Sequence, residues 1–254
     1  MLRPGTTLVL GGELAPEALA VAERVAGEQG ARIVPADGSP DTALPLAALG
    51  RFQRRNFALA RTAAETYLRE LEIAPREDAV REAASETVVQ GRLQIVGEDP
   101  LTVLDGAHNP DATCALIEAL PEILDADQPR PLALVLGVLE DKDAASMLRA
   151  LLGRCERAWF TAPPSSRALS PAALESLARQ LGFDTVVCEP EPARALAEAQ
   201  RWARGRGAGA AVLATGSVYL VGDLLAHLKS PADGELADGA SASSDRHVGS
   251  RAGR

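Results

Sequence analysis

The sequence is poor in aromatic residues, and its three cysteines form no CxxC pair. Aromatic residues make up 3% of the 254, so the core must be built largely from Ala, Leu and Val. Cys114, Cys155 and Cys188 each lie among apolar neighbours, which predicts buried, reduced thiols. A metal or redox role for these cysteines is therefore not expected.

The chain also lacks a basic surface and a long apolar run. The net charge is −9 and the arginines are scattered, whereas binding to a phosphate backbone needs Lys and Arg clustered on one face. No apolar run reaches the ~18 residues of a membrane span, and no N-terminal signal segment is evident. We therefore expect a cytoplasmic protein that binds neither nucleic acid nor membranes.

The N-terminal third shows a strand-helix-strand pattern that begins almost at once. Apolar runs and helical spacing predict a strand at Thr6–Leu10, a helix at Ala15–Gln29 and a strand at Ala31–Val34. Further helices are predicted at Arg51–Leu71 and from Arg76 to Ser85, where no internal Gly or Pro interrupts the pattern. A first domain is therefore expected to span residues 1–86.

From Arg92 onward the chain alternates regularly between strands and helices. Strands are predicted at Leu93–Val96, Leu101–Leu104, Leu132–Leu136, Arg157–Phe160, Thr185–Cys188 and Ala210–Ala214. Helices are predicted at Pro110–Leu124, Ala144–Leu152, Pro171–Leu181, Ala193–Ala203 and Val218–His227. This order predicts an α/β domain over residues 87–229, a doubly wound, mostly parallel sheet. Residues 230–254 are rich in Ser, Ala, Gly and Asp, and we expect them to be disordered.

Polar residues follow the strand at Leu101–Leu104, where ligands bind in open α/β sheets. Gly106 permits a tight turn, and Asn109 is suited to cap a helix that begins at the next residue, a proline. Asp105 and His108 are not needed for capping. Either they bind a ligand, or Asp105 fixes the turn backbone and His108 is a satisfied buried imidazole. The residue types leave both interpretations open.

Two further strand ends carry polar residues. Lys142 follows the strand at Leu132–Leu136, where it would contact an anionic substrate or remain a solvated surface lysine. Asp141 or Asp143 is suited to cap the next helix. The strand at Ala210–Ala214 ends in Thr-Gly-Ser (215–217), which would either bind an anion at a helix N-terminus or cap that helix.

Several of these segments together resemble one protein family. The segments are Phe52–Asn56 (FQRRN, with Gln53 and Asn56), Gly91-Arg92-Leu93, Asp105–Pro110 (DGAHNP), Asp141–Asp143 (DKD) and Thr215–Gly222 (TGSVYLVG). In their order along the chain, they resemble signatures of the folylpolyglutamate synthase/dihydrofolate synthase branch of the Mur ligase superfamily. The likeness extends from residue 2 to about residue 228.

The resemblance implies a Rossmann-like C-terminal glutamate ligase domain, preceded by a partial central ATPase domain of α/β type. Members of the family use ATP and Mg²⁺ to join L-glutamate to dihydropteroate or folate. ATP phosphorylates the carboxylate of the pterin substrate, and the glutamate amine then attacks the acyl phosphate. The implied partners are therefore these small molecules.

The resemblance also implies roles for individual residues. Asn56, Arg92 and Asp105 would contact ATP, whereas His108, Ser217 and Tyr219 would line the glutamate pocket. Asp105 and His108 would be catalytic, and Lys142 is a weaker candidate for an anion contact. No metal ligand is implied in this chain, because the family's magnesium ligands lie mainly in its N-terminal part.

The sequence departs from the family pattern in three ways. Phe52 stands where the family commonly has His, and Gln90 stands where it has Pro. The more serious departure is that no GxxxxGK[ST] phosphate loop occurs. We therefore expect a truncated chain that is not competent alone, with the missing half as a possible separate partner chain. The alternatives are a fragment of another Mur-type acid–amino acid ligase and a non-catalytic module that binds nucleotide or glutamate.

Overall fold

The computed structural model describes residues 2–12, 14–36, 44–124, 130–207 and 209–229. The tail at residues 230–254, which was expected to be disordered, lies outside the described residues, as do residues 37–43. None of the helices in these ranges is long and apolar enough to cross a membrane.

The N-terminal group of elements contains a small parallel sheet. Its elements are β1 (Thr7–Leu10), α1 (Pro16–Gln29), β2 (Arg32–Pro35), α2 (Arg51–Glu70) and α3 (Glu77–Glu86). Strands β1 and β2 pair in parallel, and α1 is the crossover between them. Within the described ranges neither strand pairs with a third strand. The predicted strand-helix-strand pattern is confirmed, and both edges of this small sheet are open in the described part of the chain.

Helix α1 buries little of its apolar face. The helical spacing of Leu19, Ala22, Val25 and Ala26 predicts one apolar face, but only Ala26 is buried and Leu19 is 38% exposed. On α2, the aromatic side chain of Tyr67 is 62% exposed. The N-terminal group therefore contributes little hydrophobic core.

The C-terminal group forms a six-stranded sheet. Its strands are β3 (Gln94–Glu98), β4 (Leu101–Leu104), β5 (Leu132–Leu136), β6 (Arg157–Phe160), β7 (Val186–Cys188) and β8 (Ala211–Thr215). Its helices are α4 (Pro110–Ala119), α5 (Pro121–Leu124), α6 (Ala144–Leu152), α7 (Pro171–Gln180), α8 (Pro192–Gly205) and α9 (Val218–Lys229). The strand order is β3-β4-β8-β5-β6-β7, with β3 antiparallel to β4 and every other neighbouring pair parallel.

Strand β5 shows why the helices cover both faces of this sheet. All five of its residues are buried, as expected for a continuous apolar run in a parallel sheet. Leu132, Leu134 and Leu136 belong to a core shared with α4, α6 and α7. Ala133 and Val135 belong to a second core shared with α8 and α9. The predicted doubly wound, mostly parallel α/β fold is therefore confirmed.

One predicted helix is divided. The segment Pro110–Leu124 was expected to form a single helix, but α4 ends at Ala119 and the short α5 begins at Pro121. Pro121 has no N–H with which to continue the hydrogen-bond ladder of α4, so a break at this position is expected. The other predicted boundaries in the sheet domain lie within two residues of the observed ones.

The prediction that all three cysteines are buried is wrong for two of them. Cys155 is buried, and burial raises the pKa of its thiol to about 12. Cys114 lies on the exposed side of α4, and Cys188 is exposed at the end of the edge strand β7. All three are free thiols. Apolar neighbours along the chain do not report which face of a helix, or which edge of a sheet, a cysteine occupies.

The strand order places a crevice at the carboxyl ends of β4 and β8. These strands are neighbours and parallel, yet the helices that follow them, α4 and α9, pack on opposite faces of the sheet. Such a reversal is where open α/β sheets bind ligands. The predicted strand-end residues at 105–108 and 215–217 therefore meet at one position.

Candidate functional site

Backbone hydrogen bonds join the ends of three strands at this crevice. The N–H of Gly216, after β8, donates to the carbonyl oxygen of Ala107, after β4, over 3.0 Å. The N–H of Gly137, after β5, donates to the carbonyl oxygen of Thr215 over 3.3 Å. The three turns therefore form one continuous backbone surface around which the candidate side chains are arranged.

Asp105 is buried in this surface and binds two backbone amides. Its side chain is 3% exposed, and Oδ2 accepts from the N–H of Leu93 over 2.9 Å while Oδ1 accepts from the N–H of Ala107 over 2.8 Å. Burial raises the pKa of the Asp105 carboxyl, and the two hydrogen bonds oppose that shift. Of the two interpretations left open by the sequence, the structure shows Asp105 fixing the turn backbone. Its predicted ATP contact and catalytic role stay predictions.

The Arg92 guanidinium lies directly over Gly106. A Cβ atom on Gly106 would be 2.7 Å from Nη1 of Arg92 and 3.0 Å from Cγ1 of Val218. The N–H of Gly106 donates to the carbonyl oxygen of Gly91 over 2.8 Å, which ties the segment before β3 to the end of β4. The structure therefore places Arg92, predicted as an ATP contact, beside the strand-end turn.

His108 is half-buried and has one ring nitrogen engaged. Its Nδ1 lies 2.8 Å from the carbonyl oxygen of Gly106. Because a carbonyl oxygen only accepts, Nδ1 must carry the proton in this contact, and in the neutral ring Nε2 is then an acceptor. The next residue, Asn109, caps α4 as predicted, with its Oδ1 accepting from the N–H of Ala112 over 2.8 Å.

Ser217 and Tyr219 lie at the start of α9. Ser217 is 1% exposed, and its Oγ accepts from the N–H of Tyr219 over 3.1 Å. The Tyr219 side chain is 48% exposed. Ser217 therefore fulfils the expected capping role while its hydroxyl lies at the position where β8 meets the turn after β4.

Lys142 is paired with a neighbour on the chain. Its Nζ lies 2.9 Å from Asp141, whose carboxylate also lies 3.5 Å from Arg167. The hydrogen bond with Lys142 is the main cause that lowers the pKa of Asp141. Asp143 caps α6 by accepting from the N–H of Ser146 over 3.0 Å. The contacts found in the described residues thus join Lys142 to Asp141 and not to the cluster around Arg92.

Asn56 lies on the second turn of α2 and is held by a buried neighbour. Its Nδ2 donates to Oε1 of Gln53 over 2.9 Å, and Gln53 is 6% exposed. Gly50 is the N-cap of α2, and a Cβ added to it would be 2.7 Å from Cδ1 of Leu93. The start of α2 therefore lies against the residue that follows Arg92, whereas within the described ranges the hydrogen bond of Asn56 is to Gln53 and not to the strand-end cluster.

The described residues contain no cluster of metal ligands. Within residues 2–12, 14–36, 44–124, 130–207 and 209–229, no group of three or more His, Cys, Asp or Glu side chains converges on a point.

A family model described as Mur ligase, glutamate ligase domain, matches residues 91–218, which contain the strand-end cluster. The chain belongs to the Mur ligase family. Its folylpolyglutamate synthase relative from Lacticaseibacillus casei is 33% identical over 138 residues, which are 54% of this chain and 31% of that protein. This chain thus spans less than a third of that curated relative.

Solved structures of the same branch share the fold. Mycobacterium tuberculosis folylpolyglutamate synthase complexed with ADP aligns with a TM-score of 0.79 at 24% identity, covering 89% of this chain and 56% of that one. A bifunctional folylpolyglutamate synthase/dihydrofolate synthase with Mn, AMPPNP and L-glutamate bound aligns with a TM-score of 0.68 at 25% identity, covering 89% and 54%. The resemblance predicted from the motifs is therefore confirmed.

Within this Mur ligase site, sequence reasoning missed the supporting role of two residues. Gln53 was noted only as part of a motif, yet it is buried and holds Asn56; the i, i+3 spacing on a helix indicates such a contact. Leu93 adopts a φ of +45°, in the left-handed region, and donates its amide to Asp105. No sequence signal predicts this conformation, because leucine rarely adopts it.

Proposed function

We propose that this chain provides the glutamate-binding surface and part of the nucleotide-binding surface for ATP-dependent ligation of L-glutamate to dihydropteroate or folate. The observation that carries this proposal is the convergence of Arg92, His108 and Ser217 at the crevice between β4 and β8. The relative solved with AMPPNP, Mn and L-glutamate supports the choice of ligands.

Arg92 is suited to bind the nucleotide. Its guanidinium has no hydrogen bond or ion pair within the described ranges, and it lies beside Gly106, where a side chain would displace it. A guanidinium stays charged and binds phosphate oxygens through two parallel hydrogen bonds. Residues 1–86, with Asn56 on α2, are assigned in this proposal to the ATP-binding central domain of the ligase.

His108 and Ser217 are suited to bind glutamate. With Nδ1 donating to Gly106, the neutral His108 ring presents Nε2 as an acceptor for the amino group of glutamate. The hydroxyl of Ser217 and the start of α9 favour a carboxylate. Proton transfer from the amino group to His108 would leave the neutral amine that attack on an acyl phosphate requires. In this proposal Tyr219 covers the outer side of the pocket.

The residues present do not fit a complete phosphoryl-transfer site. No GxxxxGK[ST] sequence occurs among the 254 residues, and the described ranges contain no cluster of metal ligands. Transfer of a phosphoryl group needs its charge to be neutralised by cations placed around it. We therefore propose that turnover requires a phosphate loop and Mg²⁺ ligands supplied from outside these residues, for example by a second polypeptide.

The test combines turnover with binding. The chain alone is assayed for ATP- and glutamate-dependent ligation of dihydropteroate, and titration calorimetry measures binding of ADP and of L-glutamate. We expect no turnover, ADP binding that Arg92→Ala weakens at least tenfold, and glutamate binding that His108→Ala and Ser217→Ala weaken. Arg154→Ala, at an exposed position remote from the cluster in sequence, is the matched control. Robust turnover would contradict the need for outside residues, and absence of binding to both ligands would contradict the proposed function.

A further inference from the structure

Arg92 makes no hydrogen bond or ion pair in the described part of the chain, although its charge acts on the nearby Asp105 carboxyl. Its guanidinium lies 2.7 Å from the point where a Cβ of Gly106 would be, and that is a packing contact. A long side chain with several rotatable bonds loses much rotamer freedom when it is held in one place. Packing, together with attraction to the Asp105 carboxyl, therefore has to hold Arg92 at the crevice.

The backbone on both sides of Arg92 is fixed to the end of β4. The carbonyl oxygen of Gly91 accepts from the N–H of Gly106 over 2.8 Å. On the other side, the N–H of Leu93 donates to Oδ2 of Asp105 over 2.9 Å. Because Oδ1 of Asp105 also binds the N–H of Ala107, the carboxylate connects the two segments rigidly.

The backbone conformation of Leu93 directs the side chains of Arg92 and Leu93 to different places. Its φ of +45° is rare for a residue with a bulky side chain, and structures keep such a conformation only where the surroundings impose it. The Leu93 side chain is 1% exposed and lies in the core beside Ala119 and the start of α2 at Gly50. The preceding side chain, Arg92, lies instead over Gly106.

We propose that Leu93 is a positioning residue for Arg92. Its buried side chain and its Asp105-bound amide together hold the Arg92 guanidinium over Gly106, where it meets an anionic ligand. The identity of that ligand as a nucleotide rests on the proposed function, but the positioning of Arg92 does not. Leu93 also lies against the start of α2. It therefore helps to fix the position of this helix, which carries Asn56, relative to the same crevice.

The first measurement needs no ligand. Nitrogen-15 relaxation of the Arg92 Nε–Hε group is recorded for the full chain, for Leu93→Ala and for the control Leu174→Ala. Leu174 is fully buried in the same core but lies on α7. We expect Arg92 to be ordered in the natural chain and in Leu174→Ala, and its order parameter to fall below ~0.6 in Leu93→Ala. Equal order in both variants, or a mobile Arg92 in the natural chain, would overturn the proposal.

Two further variants cover the case in which Leu93→Ala does not fold. Leu93→Val shortens the buried side chain and should mobilise Arg92, whereas Leu93→Met retains a long apolar side chain and should keep it ordered. An Arg92 that is as ordered in Leu93→Val as in the natural chain, or more mobile in Leu93→Met than in Leu93→Val, would contradict the proposal.

The second measurement is ADP affinity in a double-mutant cycle. In the Leu93→Ala background we expect ADP to bind about tenfold more weakly and Arg92→Ala to cause little further loss. In the Leu174→Ala background Arg92→Ala should keep its full effect, and equal effects in both backgrounds would contradict positioning. If the natural chain binds no ADP, the proposed function fails, while the relaxation measurement still decides the role of Leu93.

Discussion

A Cβ atom on Gly216 would lie 2.6 Å from the carbonyl oxygen of Gly137. These two glycines end the neighbouring strands β8 and β5, and their close approach lets the turns at the crevice pack backbone against backbone. Gly216 also has a φ of +107°, a conformation that residues with a side chain rarely adopt. The shape of the candidate site therefore depends on the absence of a side chain at this position.

Gly216→Ala is predicted to damage both stability and binding. The new methyl group meets backbone that cannot move aside, so the free energy of unfolding should fall by about 1–3 kcal/mol. Glutamate binding should weaken as Ser217 shifts. Urea unfolding and calorimetry measure the two effects. Gly153→Ala is the matched control, since its φ is −65° and nothing lies within 4 Å of an added Cβ; a loss as large in the control would refute the explanation.

Asp105 is predicted to make stability depend on pH in an unusual direction. Burial raises the pKa of its carboxyl above the ordinary value of 3.8, so the folded state binds its proton more tightly than the unfolded state does. The contribution of Asp105 to the free energy of unfolding is therefore fully present below pH 3.8, and it is lost as the pH rises through the raised pKa of the folded state. Urea unfolding between pH 4 and 7 should show this decrease in the free energy of unfolding in the natural chain and not in Asp105→Asn.

Asp143 provides a control with the opposite sign. The hydrogen bonds of Asp143 with Ser146 lower the pKa of its carboxyl. The contribution of Asp143 to the free energy of unfolding is therefore present above pH 3.8 and is lost as the pH falls through the lowered pKa. Asp143→Asn should therefore remove stability that the natural chain has at pH 7. If both aspartate variants changed the pH dependence of the free energy of unfolding in the same direction, the raised pKa assigned to Asp105 would be wrong.

The three thiols are predicted to react in the order Cys114, Cys188, Cys155. Cys114 is exposed and should react first with iodoacetamide at pH 8. Cys188 is also exposed, but partial burial and its hydrogen bond to Glu175 raise its pKa to about 11, so little thiolate is present. Cys155 should react last. Mass spectrometry of the labelled peptides measures the order, and Glu175→Gln should accelerate Cys188 alone.

The N-terminal sheet is predicted to open more readily than the six-stranded sheet. Strands β1 and β2 are half-buried or exposed and have no third strand in the described ranges, whereas every residue of β5 and β8 is buried. Local stability follows buried apolar contact and protected hydrogen bonds. Hydrogen exchange of residues 7–10 and 32–35 should be at least ~100-fold faster than that of residues 132–136. Equal protection would show that the N-terminal sheet is stabilised by contacts other than those described.

Local sequence patterns were sufficient to predict many of the helices and strands of this protein. The apolar run Leu132–Leu136 predicts a strand buried on both faces, and Asn109 before a proline predicts the start of α4; both are observed. These features depend on residues within one turn or one strand, so periodicity and capping chemistry are sufficient to predict them. Membership of the Mur ligase family was likewise evident from short motifs in order, and the family match over residues 91–218 confirms it.

Only the tertiary structure decided how distant residues meet. The insertion of β8 between β4 and β5 brings Gly216 to Ala107, and the fold of the chain lays Arg92 over Gly106. The same long-range packing gave Asp105 its two amide partners and left Cys114 exposed. Strand order and burial are set by contacts between segments far apart along the chain. Local propensity therefore predicts which elements form, whereas packing between them decides which side chains share a site.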